Sequence, residues 1–371
     1  MSDTPRNEPA GKPLNELGYY LLAGAPDTPA DLLEETERGE ELGLGSAFIS
    51  ERFNIKEAAT LSGAAAARSN RMGIATAATN QNTRHPLITG SYATTMHRMT
   101  GGRFTLGLGR GVDAVFSAYG LPKITTAQME DMAGLLRRMF AGEVIFGHDG
   151  PAGKFDLLHL DASFDEDIPL GLVAFGPNTL ALAGRAYDMV VLHTFFTDET
   201  VRRAVQTVRD ASEAAGRDPD AVRIWSCYAT IHDGLPEDLR LKKTVGRLAT
   251  YLQGYGDLMV RTNDWDPAVL ERFRSDEVVQ SVPGAIDGVA TTDQLEHIAT
   301  LLPDEWLEPA AFGDPATCAA RVLRQFDLGV DGVIMHGATP EQLAPVVEEY
   351  RTIRPEGRFD DVAANPGKQR S

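Results

Sequence analysis

Residues 100–111 read TGGRFTLGLGRG. Two glycines close a stretch of helical period, Arg103 follows, and an apolar run from Phe104 to Leu108 ends among glycines at 107, 109 and 111. Glycine just past a helix supplies the left-handed backbone that ends it, and an unbroken apolar run suits a strand buried on both faces. The same joint recurs as EELGLGSAFIS (40–50), AGRAYDMVVLHT (183–194) and FDLGVDGVIMHG (326–337). A helix that closes on glycine and feeds a buried strand is the repeating unit of a parallel β/α fold.

Working outward, strand patterns fall at 17–24, 45–50, 71–79, 103–109, 169–176, 188–194, 222–231 and 330–337. Amphipathic stretches fall at 30–42, 57–69, 86–99, 126–140, 178–185, 198–215, 315–327 and 340–353. Eight strand-then-helix pairs predict a closed (β/α)8 TIM barrel rather than an open doubly wound sheet. One barrel domain is expected over 17–354, with flexible tails at 1–16 and 355–371. Two stretches break the repeat. Residues 143–168, after strand four, suggest a hairpin, and residues 232–312, after strand seven, a mainly helical insertion.

The 371 residues carry 35 basic and 53 acidic side chains, a formal charge of −18. That balance disfavours nucleic acid and anionic membrane surfaces as partners and leaves a small-molecule substrate as the expected one. Cys227 and Cys318 are the two cysteines and form no CxxC, which argues against a disulfide scaffold or structural zinc. MSDTPRNEPAGKP at the start lacks the apolar core of a signal peptide, and no run has the length of a membrane span. A cytoplasmic setting is expected. The eight histidines show no dense ligand spacing, so no metal site is expected.

Barrel enzymes work at the carboxyl ends of their strands. Glu51 and Arg52 end strand two in ISERF, as a ligand clamp or as a rim salt bridge. ATAATNQNTRHP (75–86) ends strand three in small residues that permit a bulge and close ligand approach. Gly109, Gly111 and Ala114 match a dinucleotide fingerprint, but a loop follows them, and Glu130 and Asp131 fall inside the next helix instead of ending a strand. In LVAFGPNTLALAGR (172–185) a strand ends at Gly176, and Pro177, Asn178 and Thr179 open a helix. Such a start is either an anion site or an ordinary strand-to-helix turn.

SERFNIKEA (50–58), TAATNQNTRHPLITGSYATTMHRMTGGRFTLGLGRG (76–111) and AFGPNTLALAGRAYDMVVLH (174–193) together resemble the luciferase-like monooxygenase superfamily, and within it the oxidoreductases that use the deazaflavin coenzyme F420. The resemblance implies a ring lying across the barrel mouth, against a non-prolyl cis bulge at Thr76, Ala77 and Ala78, with Thr79 as a polar contact. It implies Glu51 facing the ring, Arg110 and Gly111 lining the cofactor chain, and the cofactor phosphate on Phe175, Gly176, Asn178 and Thr179. His193 falls where relatives meet substrate. Members that oxidise alcohols or sugar phosphates carry His and Trp where this chain has Arg52 and Lys56, and Glu where it has Val112. Arg52, Lys56 and His193 are therefore the candidates for polarising substrate or delivering a proton. The implied chemistry is hydride transfer between the deazaflavin C5 and an organic substrate. Three other readings stay open: an FMN-dependent monooxygenase on the same mouth, a non-catalytic flavin or deazaflavin binder, and a flavin-free hydrolase using His193 and His336. The resemblance also implies a homodimer, formed through helices such as EAATLSGAAAARS (57–69).

Overall fold

A computed structural model describes residues 11–24, 26–53 and 55–370. Its frame is a ring of eight parallel strands: β1 (Leu14–Tyr20), β2 (Leu44–Ile49), β3 (Gly73–Thr76), β4 (Phe104–Gly109), β5 (Leu170–Val173), β6 (Met189–Val191), β7 (Arg223–His232) and β8 (Gly332–His336). Each strand pairs in parallel with its successor, and β8 pairs with β1 through Leu17↔Val333 to Tyr19↔Met335, so the ring closes. The helices that follow these strands are α1 (Asp31–Glu41), α2 (Ala58–Arg68), α3 (Pro86–Met99), α4 (Thr126–Phe140), α5 (Pro177–Ala186), α6 (Asp198–Ala214), α7 (Pro315–Gln325) and α8 (Pro340–Ile353). Their starts are written in the sequence. Thr125 with Gln128 and Thr339 with Gln342 form reciprocal capping boxes, and proline opens α3, α5, α7 and α8.

The main core lies between strand ring and helices. Phe48, Met189, Val191, Trp225 and Ile334 fill the barrel itself, with Phe48 edge-on to Trp225 at 4.9 Å. The insertion after β4 is the expected hairpin, Ile145–Gly150 against Gly153–Leu158. The insertion after β7 is helical and has its own core, in which Trp265 stacks on Trp306 at 4.5 Å. It ends in a short strand, Ala311–Gly313, on the outer edge of β7. Among the described residues no helix is long and apolar enough to cross a membrane. Cys227 and Cys318 are buried free thiols.

Three local expectations need correction. β1 begins at Leu14, not at residue 17, because Leu14 already pairs with Leu44. The expected N-terminal tail otherwise lies outside the described residues, apart from 11–13. A short helix, Asp113–Ala118, forms in what reads as loop after β4, although the ring around it is a closed barrel and not a dinucleotide fold. The opening glycines serve the neighbouring chain: a Cβ on Gly107 would lie 1.9 Å from the Thr76 carbonyl oxygen, and one on Gly109 2.9 Å from the Ala78 methyl.

Residues 355–370 are not a loose tail; they seal the amino-terminal end of the barrel. Arg223, fully buried at the start of β7, donates to the carbonyls of Ala363 (2.9 Å), Asn365 (2.9 Å), Lys368 (3.1 Å) and Asn15 (2.6 Å). Asn365 donates to Gly102 O (2.7 Å) and Phe104 O (3.0 Å) and accepts from the Thr105 hydroxyl (2.6 Å). The segment is largely polar, and its main-chain carbonyls and the Asn365 amide hold it, joined by buried Phe359, which packs on Phe326 at 4.7 Å. Arg223→Met would leave four carbonyls without this donor, and urea unfolding should show a loss of about 3 kcal/mol. Asn365→Ala should lose about 2 kcal/mol by the same measurement.

Candidate active site

At the carboxyl end of β3 the ladder to β4 breaks and resumes. Ala75 pairs with Thr105, and Thr79 next pairs with Leu108. Four residues of one strand thus span three of the other, which is a bulge. Thr76 bridges the gap: its hydroxyl donates to Gly107 O (2.7 Å) and accepts from Gly107 N (2.8 Å). The peptide bond Ala77–Ala78 within the bulge is cis. Thr76 therefore lies in the barrel wall, fully buried, and the small side chains of Ala77 and Ala78 follow it at the mouth.

Glu51, at the end of β2, is held from several sides. Its backbone N–H donates to Ala78 O (3.0 Å), while its carboxylate accepts from the Thr79 hydroxyl (2.6 Å) and the Arg84 guanidinium (2.6 Å). Arg84 also reaches Glu57, the N-cap of α2. Glu51 and Thr79 are thus braced by protein, and Arg84 is the member of this group that sequence reasoning left without a role. Its place in the RHP at the α3 start was the available signal.

Beside this group stands a set of cations. Arg52 donates to Gly24 O (3.1 Å). Lys56, buried, donates from Nζ to Leu21 O (3.4 Å) and to Leu22 O. Burial, with help from Arg52, brings the Lys56 ammonium down to about 7. From the insertion, Lys243 donates to Gly337 O, and Arg247 pairs with Asp287 at 2.7 Å. Burial brings Lys243 down to about 8, with Arg247 adding to the shift.

The helix Arg247–Asn263 faces the mouth with Arg247, Tyr251 and Tyr255. Tyr255 OH meets His193 Nε2 at 2.8 Å, and His193 Nδ1 meets Thr194 O at 2.9 Å. A carbonyl accepts only, so Nδ1 carries the proton and Nε2 accepts from the tyrosine. Burial pushes the imidazole down to about 4, leaving it neutral near neutral pH. Phe175 packs on the same ring at 4.4 Å and Tyr251 at 4.8 Å. Tyr255 itself leaves helical geometry (φ −155°, ψ 36°), so the helix bends where it touches His193.

Across the mouth, α5 starts after Gly176 with no side-chain cap, unlike α2, α3, α4, α6, α7 and α8. Asn178 is exposed and Thr179 half-buried at that start. Arg110 turns away to Ile124 O (3.1 Å) and the Thr126 hydroxyl (2.5 Å), anchoring the loop after β4 to α4. Gly111 takes a positive φ of 73°, and a Cβ there would meet the Phe116 ring at 2.3 Å. His336 ends β8 edge-on to Tyr20 at 5.4 Å. Among the described residues no three His, Cys, Asp or Glu side chains are grouped to hold a metal.

The luciferase-like monooxygenase family model matches residues 13–332. The chain belongs to this family. Among family relatives, the 5,10-methylenetetrahydromethanopterin reductase of Methanolobus tindarius is 26% identical over 303 residues, covering 80% of this chain and 86% of the relative. An F420-dependent glucose-6-phosphate dehydrogenase of Intrasporangium calvum is 23% identical over 339 residues, covering 85% and 90%. The solved structure of a coenzyme F420-dependent tetrahydromethanopterin reductase from Methanopyrus kandleri superposes with a TM-score of 0.74 at 20% identity, covering 92% of this chain and 99% of that one. The luciferase-like fold is thereby shared across the barrel and its insertions.

Within this luciferase-like barrel, sequence reasoning found Arg52, Lys56 and His193 but missed Lys243, Arg247, Tyr251 and Tyr255. Their signal was a spacing of four, repeated from 243 to 255, which puts cations and aromatics on one helical face. The Lys56 shift gives a direct test. Its folded value, about 7, lies below the ordinary lysine value, so the unfolded chain binds more protons between the two and stability rises with pH there. Lys56→Met removes the charge. Its melting temperature should exceed the parent's by about 3 °C at mildly acidic pH, and the advantage should shrink as pH rises towards the ordinary lysine range.

Proposed function

We propose that this chain is an F420-dependent oxidoreductase acting on a small organic substrate. The carrying observation is the pairing, at one mouth, of the bulge at Ala77 and Ala78 with the uncapped start of α5. The first offers a flat floor of methyl groups beside Gly109. The second offers amide hydrogens and the positive end of a helix to a phosphate. A planar ring with a phosphate-bearing chain fits that pair, and F420 is the cofactor named for the relatives from Intrasporangium calvum and Methanopyrus kandleri.

F420, when bound, would take up a hydride at C5 of its deazaflavin in the oxidised form or give one in the reduced form. The protein supplies the rest. Phe175 and the α5 amides would hold the cofactor chain, and the wall around Thr76 fixes the floor. Tyr251, Tyr255 and Phe175 exclude water above it. Lys56 Nζ, with its value near 7, exchanges a proton readily at neutral pH, which neutral His193 does not. The substrate is not glucose 6-phosphate in this reading. Val112 stands where a carboxylate would be needed, and the adjacent Asp113 turns to Lys123 at 2.7 Å.

Titrating the purified chain with F420 and with FMN, and following ring fluorescence, tests the reading. F420 should bind saturably, and FMN at least about tenfold more weakly. Asn178→Asp puts a carboxylate at the α5 start, where it stabilises the helix but repels phosphate. F420 affinity should fall about tenfold with an unchanged or higher melting temperature. Tight FMN binding without F420 binding would overturn the proposal.

A further inference from the structure

Arg52 and Lys56 behind β2, and Lys243 and Arg247 from the insertion, gather four cationic groups at one side of the mouth. Arg247 has an ion-pair partner in Asp287 (2.7 Å). Among the described residues the other three have no carboxylate within ion-pair distance. Their polar hydrogens go instead to main-chain carbonyls that end β1 and β8, at Leu21, Leu22, Gly24 and Gly337. The nearby Glu35 carboxylate accepts from Leu22 N–H at 2.7 Å. Arg247 is buried, and its Nε has no partner.

This arrangement is costly by itself. Like charges have been withdrawn from water and set side by side, in a chain whose formal charge is −18. Exposed surface cations normally find carboxylates; of these four, only Arg247 has one within ion-pair distance among the described residues. Carbonyl oxygens fix three of the side chains without neutralising them, Asp287 and Glu35 offset part of the charge of the four, and a low-dielectric mouth concentrates the remaining positive potential on whatever enters. A bound oxyanion would supply the missing counter-charge, with guanidinium forks on opposite sides of it.

We propose that the substrate carries an oxyanion, a carboxylate or a phosphate group, held between Arg52, Lys243 and Arg247 with Lys56 beside it. Calling that anion a substrate rests on the oxidoreductase reading; the anion site itself does not.

Isothermal titration of the full chain with inorganic phosphate and, separately, with malonate, near neutral pH and at fixed chloride ionic strength, tests this. At least one probe should bind saturably, and the tighter of the two identifies the group. Arg52→Gln and Lys243→Gln should each weaken that binding about tenfold or more, while the F420 dissociation constant moves less than about threefold. Asn178→Asp should leave probe binding in place. Two results would overturn the proposal: no saturable binding of either probe, or binding that survives both cation substitutions and is lost in Asn178→Asp, which would put the anion on α5. If the probes bind and F420 does not, the cofactor reading fails and the anion site stands. If F420 binds and the probes do not, the anion site fails and the cofactor reading stands.

Discussion

The mouth of this barrel depends on a threonine that takes the place of a main-chain partner. Where β3 and β4 lose register, the Thr76 hydroxyl both gives to and takes from Gly107, so neither backbone group is left unpaired in the wall. The contact works because residue 107 has no side chain; any Cβ would strike the Thr76 carbonyl. With the gap bridged, Asn80 can rejoin β4 and donate to Gly109 O at 2.8 Å. The bulge then presents Ala78 O to the Glu51 N–H, and through Glu51 it orders Arg84 and the start of α2. A local mismatch of one residue thus organises three neighbouring strand ends.

The electrostatics of the two halves of the mouth differ in kind. Around Glu51 each charge has a partner of opposite sign, with the Arg84 guanidinium 2.6 Å from the buried carboxylate. Around Lys56 the cations outnumber the carboxylates, and Arg52, Lys56 and Lys243 are bonded to neutral carbonyls. Parallel strands expose those carbonyls at this end of every barrel, so a cation can be tethered there without being neutralised. The first half is built to stay as it is. The second is built to receive something.

Much of the frame was legible in the sequence because buried parallel strands and glycine-closed helices repeat the same joint, as at 100–111 and 326–337. The site was legible where it sits on that repeat: Glu51, Arg52, the bulge and the α5 start all fall at strand ends. What escaped sequence reasoning lies off the repeat. Residues 355–370 read as a loose polar tail because their hold on the barrel is made through main-chain carbonyls, and a carbonyl has no residue type to recognise. Arg223 was the hidden sign, a charged residue at the start of an otherwise apolar strand. Thr76 was placed at the mouth by resemblance, yet hydrogen-bond demand draws it into the wall. Arg110, assigned to the cofactor chain, donates to Ile124 O and the Thr126 hydroxyl, and its buried Nε has no partner.

The insertion after β7 explains why a shared barrel need not share a substrate. The ring and the α5 start come from elements that the fold itself requires, whereas Lys243, Arg247, Tyr251 and Tyr255 ride on a helix with a separate core. That helix packs its other side, through Leu248, Leu252, Met259 and Val260, into the insertion's core, which also takes in Phe195 and Ala229 of the barrel. Its stripe also fits the pair that replaces His and Trp behind β2. Arg52 and Lys56 would be two isolated cations without it; with Lys243 and Arg247 opposite, they become two sides of one site. The aromatic half of the same stripe, Tyr251 and Tyr255, meets neutral His193 and Phe175, so one helix presents charge over β1 and β2 and an apolar cover over β5 and β6. Charge selects what enters on one side, and exclusion of water governs the other.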